Sequence, residues 1–260
     1  MIVDCHAHIG FSDEGWGLSE YLKVSKAVGK TIVLSQPGNQ DEVNSALSEF
    51  VKARKQNMTG FAFIDPIPQT INAKQLNNVT RKEGLSGAVV YCAACGFHPA
   101  HSRAMRFYEA AEELHLPVFF HNGPVLGAGA ILEYAQPIQL DEIARTFKGL
   151  KMIIGDMGRP FVSQALAVAG RHPNVYADLT INTAKPWEVY NTVTAAFEQK
   201  VMGKLLFGSG FPLGRADESI EKLLGFNRMH GETILPVVAR NEISNIIERD
   251  TISILGIETE

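Results

Sequence analysis

A rhythm constrains this chain first. Eight short apolar runs, rich in β-branched residues, recur along it: "MIVDCHAH", "KTIVLSQP", "TGFAFIDP", "LSGAVVYC", "LPVFFHNG", "LKMIIGDMG", "NVYADLT" and "KLLFGSG". Segments with helical spacing lie between them. In "DEVNSALSEFVKARKQ", Val43, Leu47, Phe50 and Val51 share one face and the charges take the other. "SRAMRFYEAAEELHL" opens on Ser102 as a cap candidate and carries Met105, Tyr108 and Leu114, while "FVSQALAVAGRHP" stops at Pro173, which cannot continue a helix. Strands that are apolar without interruption are buried on both faces, which implies a parallel sheet covered by helices. Eight such units within 260 residues predict an α/β chain folded as one (β/α)₈ TIM barrel spanning residues 1–260. An open doubly wound sheet is the alternative, but the Gly-rich phosphate fingerprint expected after its first strand is absent.

Composition narrows the partners. The net charge is −4 with no basic block, which argues against nucleic acid. No apolar run is long enough to span a membrane, and Ile2-Val3 runs straight into Asp4 without a leader pattern. Three cysteines, an odd number, argue against a disulfide scaffold and suit a reducing cytoplasm. These features point to a cytoplasmic protein acting on a small molecule, with homo-oligomers allowed.

In such a barrel, chemistry gathers at the C-terminal ends of the strands. His6, His8, His121, Asp156 and Ser209 fall there. His115, His172 and His230 fall at helix ends or late in the chain, where a solvated or capping role is expected. His6 and His8 are two apart on a strand, so both side chains point one way. Two imidazoles at a barrel mouth suit a divalent cation such as zinc, and His121, closing the fifth strand, is a third ligand candidate. Asp4 shares the histidines' face on the same two-residue count; it is a candidate for orienting an imidazole or, alternatively, a buried, hydrogen-bonded acid.

With these residues in order, the chain resembles the amidohydrolase-related metal-dependent hydrolases of the TIM-barrel fold. That group also holds decarboxylases of the aminocarboxymuconate-semialdehyde type. "VDCHAHIG" matches the family's D-x-H-x-H opening, and "GFHPAHSRAMRFYEAAEELHLPVFFHNG" is similar to its stretch into the fifth strand. "NVYADLT", "LFGSGFP" and "NIIERDTISILGI" resemble its seventh strand, its G-S-D-[FYW]-P turn and its closing helix. The resemblance implies a metal held by His6, His8 and His121. It also shows departures. The family's sixth-strand His is Asp156 here, the acid of its eighth-strand turn is Gly210, and "GAVVYCAACG" has no Lys to bridge a second metal.

The expected cofactor is therefore one divalent ion, with zinc as first candidate. Asp156 is expected to serve as fourth ligand or as proton acceptor for a metal-activated water; pairing with Arg159 is the alternative. An acid returned at Gly210 is expected to compensate for loss of Asp156. The expected activity is that of a metal-dependent hydrolase. A lyase on the same site, decarboxylase or hydratase, and a barrel that binds a ligand without turning it over are the alternatives. Arg159 and Arg215, with Arg103 and Lys185, fall in loops on the active face, where cations favour a carboxylated substrate. Trp16 and Trp187 are candidate apolar walls, and "VLGAGAILEYAQP" is a candidate lid. Cys92 and Cys95 form a C-x-x-C after the fourth strand, a pattern more often incidental than ligating.

Overall fold

Every one of the eight apolar runs forms a strand. The computed structural model describes residues 1–10, 17–121, 127–229 and 233–257. The strands are β1 (Ile2–Ala7), β2 (Val28–Leu34), β3 (Met58–Phe63), β4 (Gly87–Val90), β5 (Val118–Phe120), β6 (Met152–Ile154), β7 (Val175–Thr180) and β8 (Leu205–Gly208). They pair in parallel in the order of the sequence. The ring closes through the turn after β8. The N–H of Gly210 donates to the His6 carbonyl at 2.9 Å, and the N–H of His8 donates to the Phe211 carbonyl at 2.8 Å. The result is a (β/α)₈ barrel.

The helices are α1 (Leu18–Val24), α2 (Gln40–Lys52), α3 (Ala73–Val79), α4 (Cys92–Cys95), α5 (Ser102–Glu113), α6 (Leu140–Thr146), α7 (Val162–Arg171), α8 (Pro186–Glu198), α9 (Ala216–Leu224), α10 (Arg240–Ile247) and α11 (Thr251–Leu255). On α2, Leu47 and Val51 are buried, as its periodicity predicts. The cap of α5 is not Ser102. His101 precedes it in extended backbone, and its ring nitrogen accepts from the Arg103 N–H, so Ser102 is the first helical residue. The stretch read as one closing helix is two, because Asp250 caps a new start at Thr251 by accepting from the Ser253 N–H.

Two apolar layers result. Val3, Cys5, Ile32, Leu34, Phe61 and Phe63 fill the barrel interior with partners from β4, β5, β6 and β8, and Ile252, Leu255 and Ile257 plug one end. The opposite strand faces pack against the helices. This division decides which polar side chains look into the barrel. On β7, Val175, Ala177 and Leu179 belong to the outer layer, so Tyr176, Asp178 and Thr180 point inward. Among the described residues, no helix is long and apolar enough to cross a membrane.

Candidate metal centre

β1 carries two of the site histidines and is not regular. Asp4 pairs with Thr31 and Ala7 with Val33, so three steps along β1 match two along β2. This is a β-bulge, and it breaks the two-residue alternation. Asp4 therefore does not share the face of His6 and His8. It turns to the outer layer, where it accepts from the Tyr21 hydroxyl at 2.9 Å and from the Ser209 N–H at 2.8 Å. Burial raises its pKa, and hydrogen bonds from Ser209, His6 and Tyr21 offset part of that. Its work is to tie β1 to α1 and to the β8 turn; it orients no imidazole.

The orienting carboxylate is Asp178 on β7, fully buried inside the barrel. His6 Nδ1 donates to Asp178 Oδ2 at 2.6 Å. His8 Nδ1 donates to the Leu34 carbonyl at 3.0 Å. A carbonyl can only accept, and an ionised carboxylate can only accept, so both Nδ1 atoms carry hydrogen and both Nε2 atoms keep a lone pair in the neutral rings. Those lone pairs meet. His6 Nε2 lies 3.3 Å from His8 Nε2 and 3.1 Å from His121 Nε2, and His8 Nε2 lies 2.9 Å from His121 Nε2. Two nitrogens on a tetrahedral ion with Zn–N of about 2.0–2.1 Å stand about 3.3 Å apart, so the three atoms fit the corners of a single cation's shell. The Tyr91 ring lies 4.6 Å from that of His121 and steadies it from the side. Its hydroxyl is anchored on the Ser35 carbonyl at 2.7 Å.

Charge in the centre is divided unevenly. Burial and the neighbouring imidazoles push the pKa of His8 well below the usual histidine value, and burial with His6 does the same for His121. Burial alone would lower His6 too, but the charges of Asp178, Asp156 and Asp4 overcome it and raise His6 to about 9. Three imidazoles backed by a buried carboxylate are a donor set that would suit a divalent cation, which needs its histidines neutral at the ligating nitrogen.

Asp156 sits in a 3₁₀ turn, Gly155–Gly158, that follows β6, and it adopts φ 50°. Its N–H donates to Asp178 Oδ2 at 3.1 Å. One carboxylate oxygen accepts from Arg159 Nη2 at 3.1 Å; the other, Oδ2, is buried with no hydrogen-bond partner. The carboxylate groups with His6 and Asp178 within 4.8 Å and stands outside the three-histidine group. His6, His8, His121, Asp156, Arg159 and Thr180 all line one cavity of about 260 Å³ at the strand ends.

The other sequence candidates fall elsewhere. Arg159 does line the cavity, but Nη1 is taken by Glu188 at 2.9 Å and Nη2 by Asp156, which leaves only Nε without a partner. Arg215 is half exposed, held by Asp217 and Glu218 at 2.9 and 3.0 Å, and is not part of the cavity wall. Trp187 is exposed and stacks on Tyr190, away from the cavity. Arg103 donates to the Ile67 carbonyl, and Lys185 pairs with Glu188 at 3.5 Å. Trp16 and the start of the candidate lid lie outside the described residues. The rest of that segment is tied down, with the Ile131 N–H on the Ala93 carbonyl at 3.0 Å. Burial raises the pKa of both C-x-x-C thiols, Cys95 to about 11, and among the described residues neither groups with the three histidines. Gly210 has φ 65°, and a Cβ there would stand 2.5 Å from Thr180 Cγ2, so an acid at 210 has no ready room.

Sequence reasoning missed Asp178, Thr180 and Tyr91. An acid inside the apolar run "NVYADLT" was the available signal, since a buried carboxylate needs partners.

Several solved structures share the fold across nearly their whole length. An uncharacterized TIM-barrel protein from Bordetella bronchiseptica superposes with a TM-score of 0.73 at 19% identity, covering 98% of each chain. A probable 2-pyrone-4,6-dicarboxylic acid hydrolase from Acinetobacter baumannii, with citric acid bound, gives 0.70 at 14% identity, covering 98% of this chain and 99% of its own. A dihydroxybenzoic acid decarboxylase from a Polaromonas species, with manganese and the inhibitor 2-nitroresorcinol bound, gives 0.70 at 15%, covering 98% and 96%. Identities this low establish the fold alone. A search of curated proteins found no match. The sequence model of the amidohydrolase family matches residues 3–238, a span that holds every ligand candidate, and the chain belongs to the amidohydrolase family.

Proposed function

We propose that the protein is a metal-dependent hydrolase working with one divalent ion, zinc first among the candidates, on a small carboxylated substrate. The convergence of three imidazole Nε2 atoms at the floor of one cavity carries this reading. His6, His8 and His121 would hold the ion. When bound, the ion would supply Lewis acidity and lower the pKa of a coordinated water toward about 7.

The chain's own groups do the rest. Asp156 accepts the proton: it lines the cavity and its Oδ2 has no hydrogen-bond partner, while Arg159 holds Oδ1 and fixes the carboxylate's direction. Its place beside His6 and Asp178, outside the three-histidine group, favours proton acceptance over direct ligation. The cavity is at or below the about 300–1,000 Å³ of sites for drug-sized ligands, so the substrate is small. A carboxylated substrate accords with the acids named for the pyrone hydrolase and the decarboxylase of like fold. On this chain the attraction rests on the ion and on Arg159, which lines the cavity, because Arg215 is engaged elsewhere.

A lyase on the same site is the second reading. It accords with the decarboxylases among the solved structures of like fold. Metal analysis of protein purified without chelator tests the centre, and assays for hydrolysis and for CO₂ release separate the two chemistries. Asp156→Asn should keep the metal and lose about 10²–10⁴-fold in hydrolytic turnover. Protein that neither carries nor takes up a divalent ion would overturn the metal reading.

A further inference from the structure

Thr180 stands at a junction that neither the ligand set nor the proposed base accounts for. It ends β7, points inward and is buried. Its Oγ1 lies 2.9 Å from both oxygens of Asp178 and 3.3 Å from His6 Nδ1. The hydroxyl can therefore donate to the carboxylate while standing beside the imidazole N–H that the carboxylate receives. Its γ-methyl lies over the bare Cα of Gly210, where a Cβ would come within 2.5 Å. Threonine is stiff about χ1, so moving the methyl also moves the hydroxyl.

We propose that Thr180 is a positioning residue for the metal centre. Seated on Gly210, it holds Asp178 in the one orientation that presents His6 Nε2 to the ion. Gly210 then has a use of its own, because the space left by its missing side chain is where the threonine methyl sits. The proposal rests on the metal reading above.

Two substitutions separate the hydroxyl from the methyl. Thr180→Val keeps the shape and removes the donor; Thr180→Ser keeps the donor and removes the methyl. Gly210→Ala should push Thr180 off its seat, and Thr180→Ser in that background should restore room. The probe is Zn²⁺, with affinity measured by competition against a chromophoric chelator on the full chain. The visible spectrum of the Co²⁺-loaded protein is recorded alongside.

Loss of a partner behind a ligand costs about 10–100-fold in metal affinity. Thr180→Val and Gly210→Ala should each show a loss of that order and an altered cobalt spectrum. Thr180→Ser, which keeps the donor but loses its seat, should lose less affinity than Thr180→Val, and the double variant Gly210→Ala/Thr180→Ser should bind more tightly than Gly210→Ala, the backbone strain of an alanine at φ 65° remaining. Parental affinity in Thr180→Val, or equal losses in Thr180→Val and Thr180→Ser, would overturn the proposal. If Thr180→Val does not fold, by circular dichroism, the Gly210→Ala pair decides: no recovery in the double variant overturns it. A parent protein that binds no Zn²⁺ is a different outcome and overturns the metal reading itself.

Discussion

Gly208 faces the barrel interior, and adding one methyl there should dismantle the support of His6. A Cβ built on Gly208 would stand 2.1 Å from Asp178 Oδ1, 2.9 Å from His6 Cβ and 2.9 Å from Thr180 Oγ1. Little can retreat. The β8 backbone is paired to β7 with Gly208 against Thr180, and Asp178 is held by His6, Thr180 and the Asp156 N–H. Either the strand shifts, at an overpacking cost of about 1–3 kcal/mol, or the carboxylate swings off and leaves a buried imidazole N–H unpaired, at a similar cost or more. Gly208→Ala should therefore lose about 1–3 kcal/mol, roughly 2–12 °C in melting temperature for a chain of this length, and bind Zn²⁺ more weakly. Gly203 is the control, because a Cβ there meets nothing within 4 Å. Urea unfolding in chelator and metal titration measure the two effects. If Gly208→Ala melts within a degree of Gly203→Ala and binds Zn²⁺ as tightly, the close packing of β8 on Asp178 does not support the site.

The metal-free protein should be most stable near pH 6.5. His8 and His121 have depressed pKa values, so stability falls as pH drops below 6.5 and the unfolded chain takes up protons the folded one refuses. His6 is raised to about 9, so its contribution is complete below 6.5 and disappears as pH rises through 9. Melting temperatures in chelator from pH 5 to 10 check this, and a steady rise across that range would contradict it. Arg159→Met should destabilise by about 3–5 kcal/mol in urea unfolding, because it leaves buried Asp156 without its cation. Arg215→Met, at an exposed pair, should leave both the melting temperature and the Michaelis constant unchanged. At pH 7.5 a thiol reagent should modify the native protein slowly, with Cys95 first, since burial raises its thiol to about 11 and Cys92 further; rapid loss of two thiols would refute this.

The barrel was legible because parallel strands are buried on both faces and so read as unbroken apolar runs. The three histidines were legible because each ends such a run, where a polar ring is costly without a partner. Asp4 was misread for a definite reason. Counting by twos assumes an unbroken pleat, and the bulge between Asp4 and Ala7 inserts an extra residue that nothing in "IVDCHA" announces. Ser102 lost the cap of α5 to its neighbour because His101 offers a ring nitrogen where a hydroxyl was expected. Arg215 and Trp187 were placed on the active face by loop position alone, which carries no information on where a long side chain finds its partner.

Asp178 was hidden for a deeper reason. Its partner, His6, lies across the strand between β7 and β1, and the contact exists because that strand has no side chain at 208. In sequence, "LFGSGFP" reads as a turn that has lost its acid. In three dimensions its two glycines leave space that neighbours fill: Asp178 reaches past Gly208 to His6, and the Thr180 methyl rests on Gly210. A missing side chain gives no local signal of what occupies its place. The carboxylate behind the imidazole comes from β7 and the one on the cavity wall from the turn after β6, and both lie beside His6. Substituting either glycine therefore probes the proposed centre without touching any of the residues proposed to hold the ion.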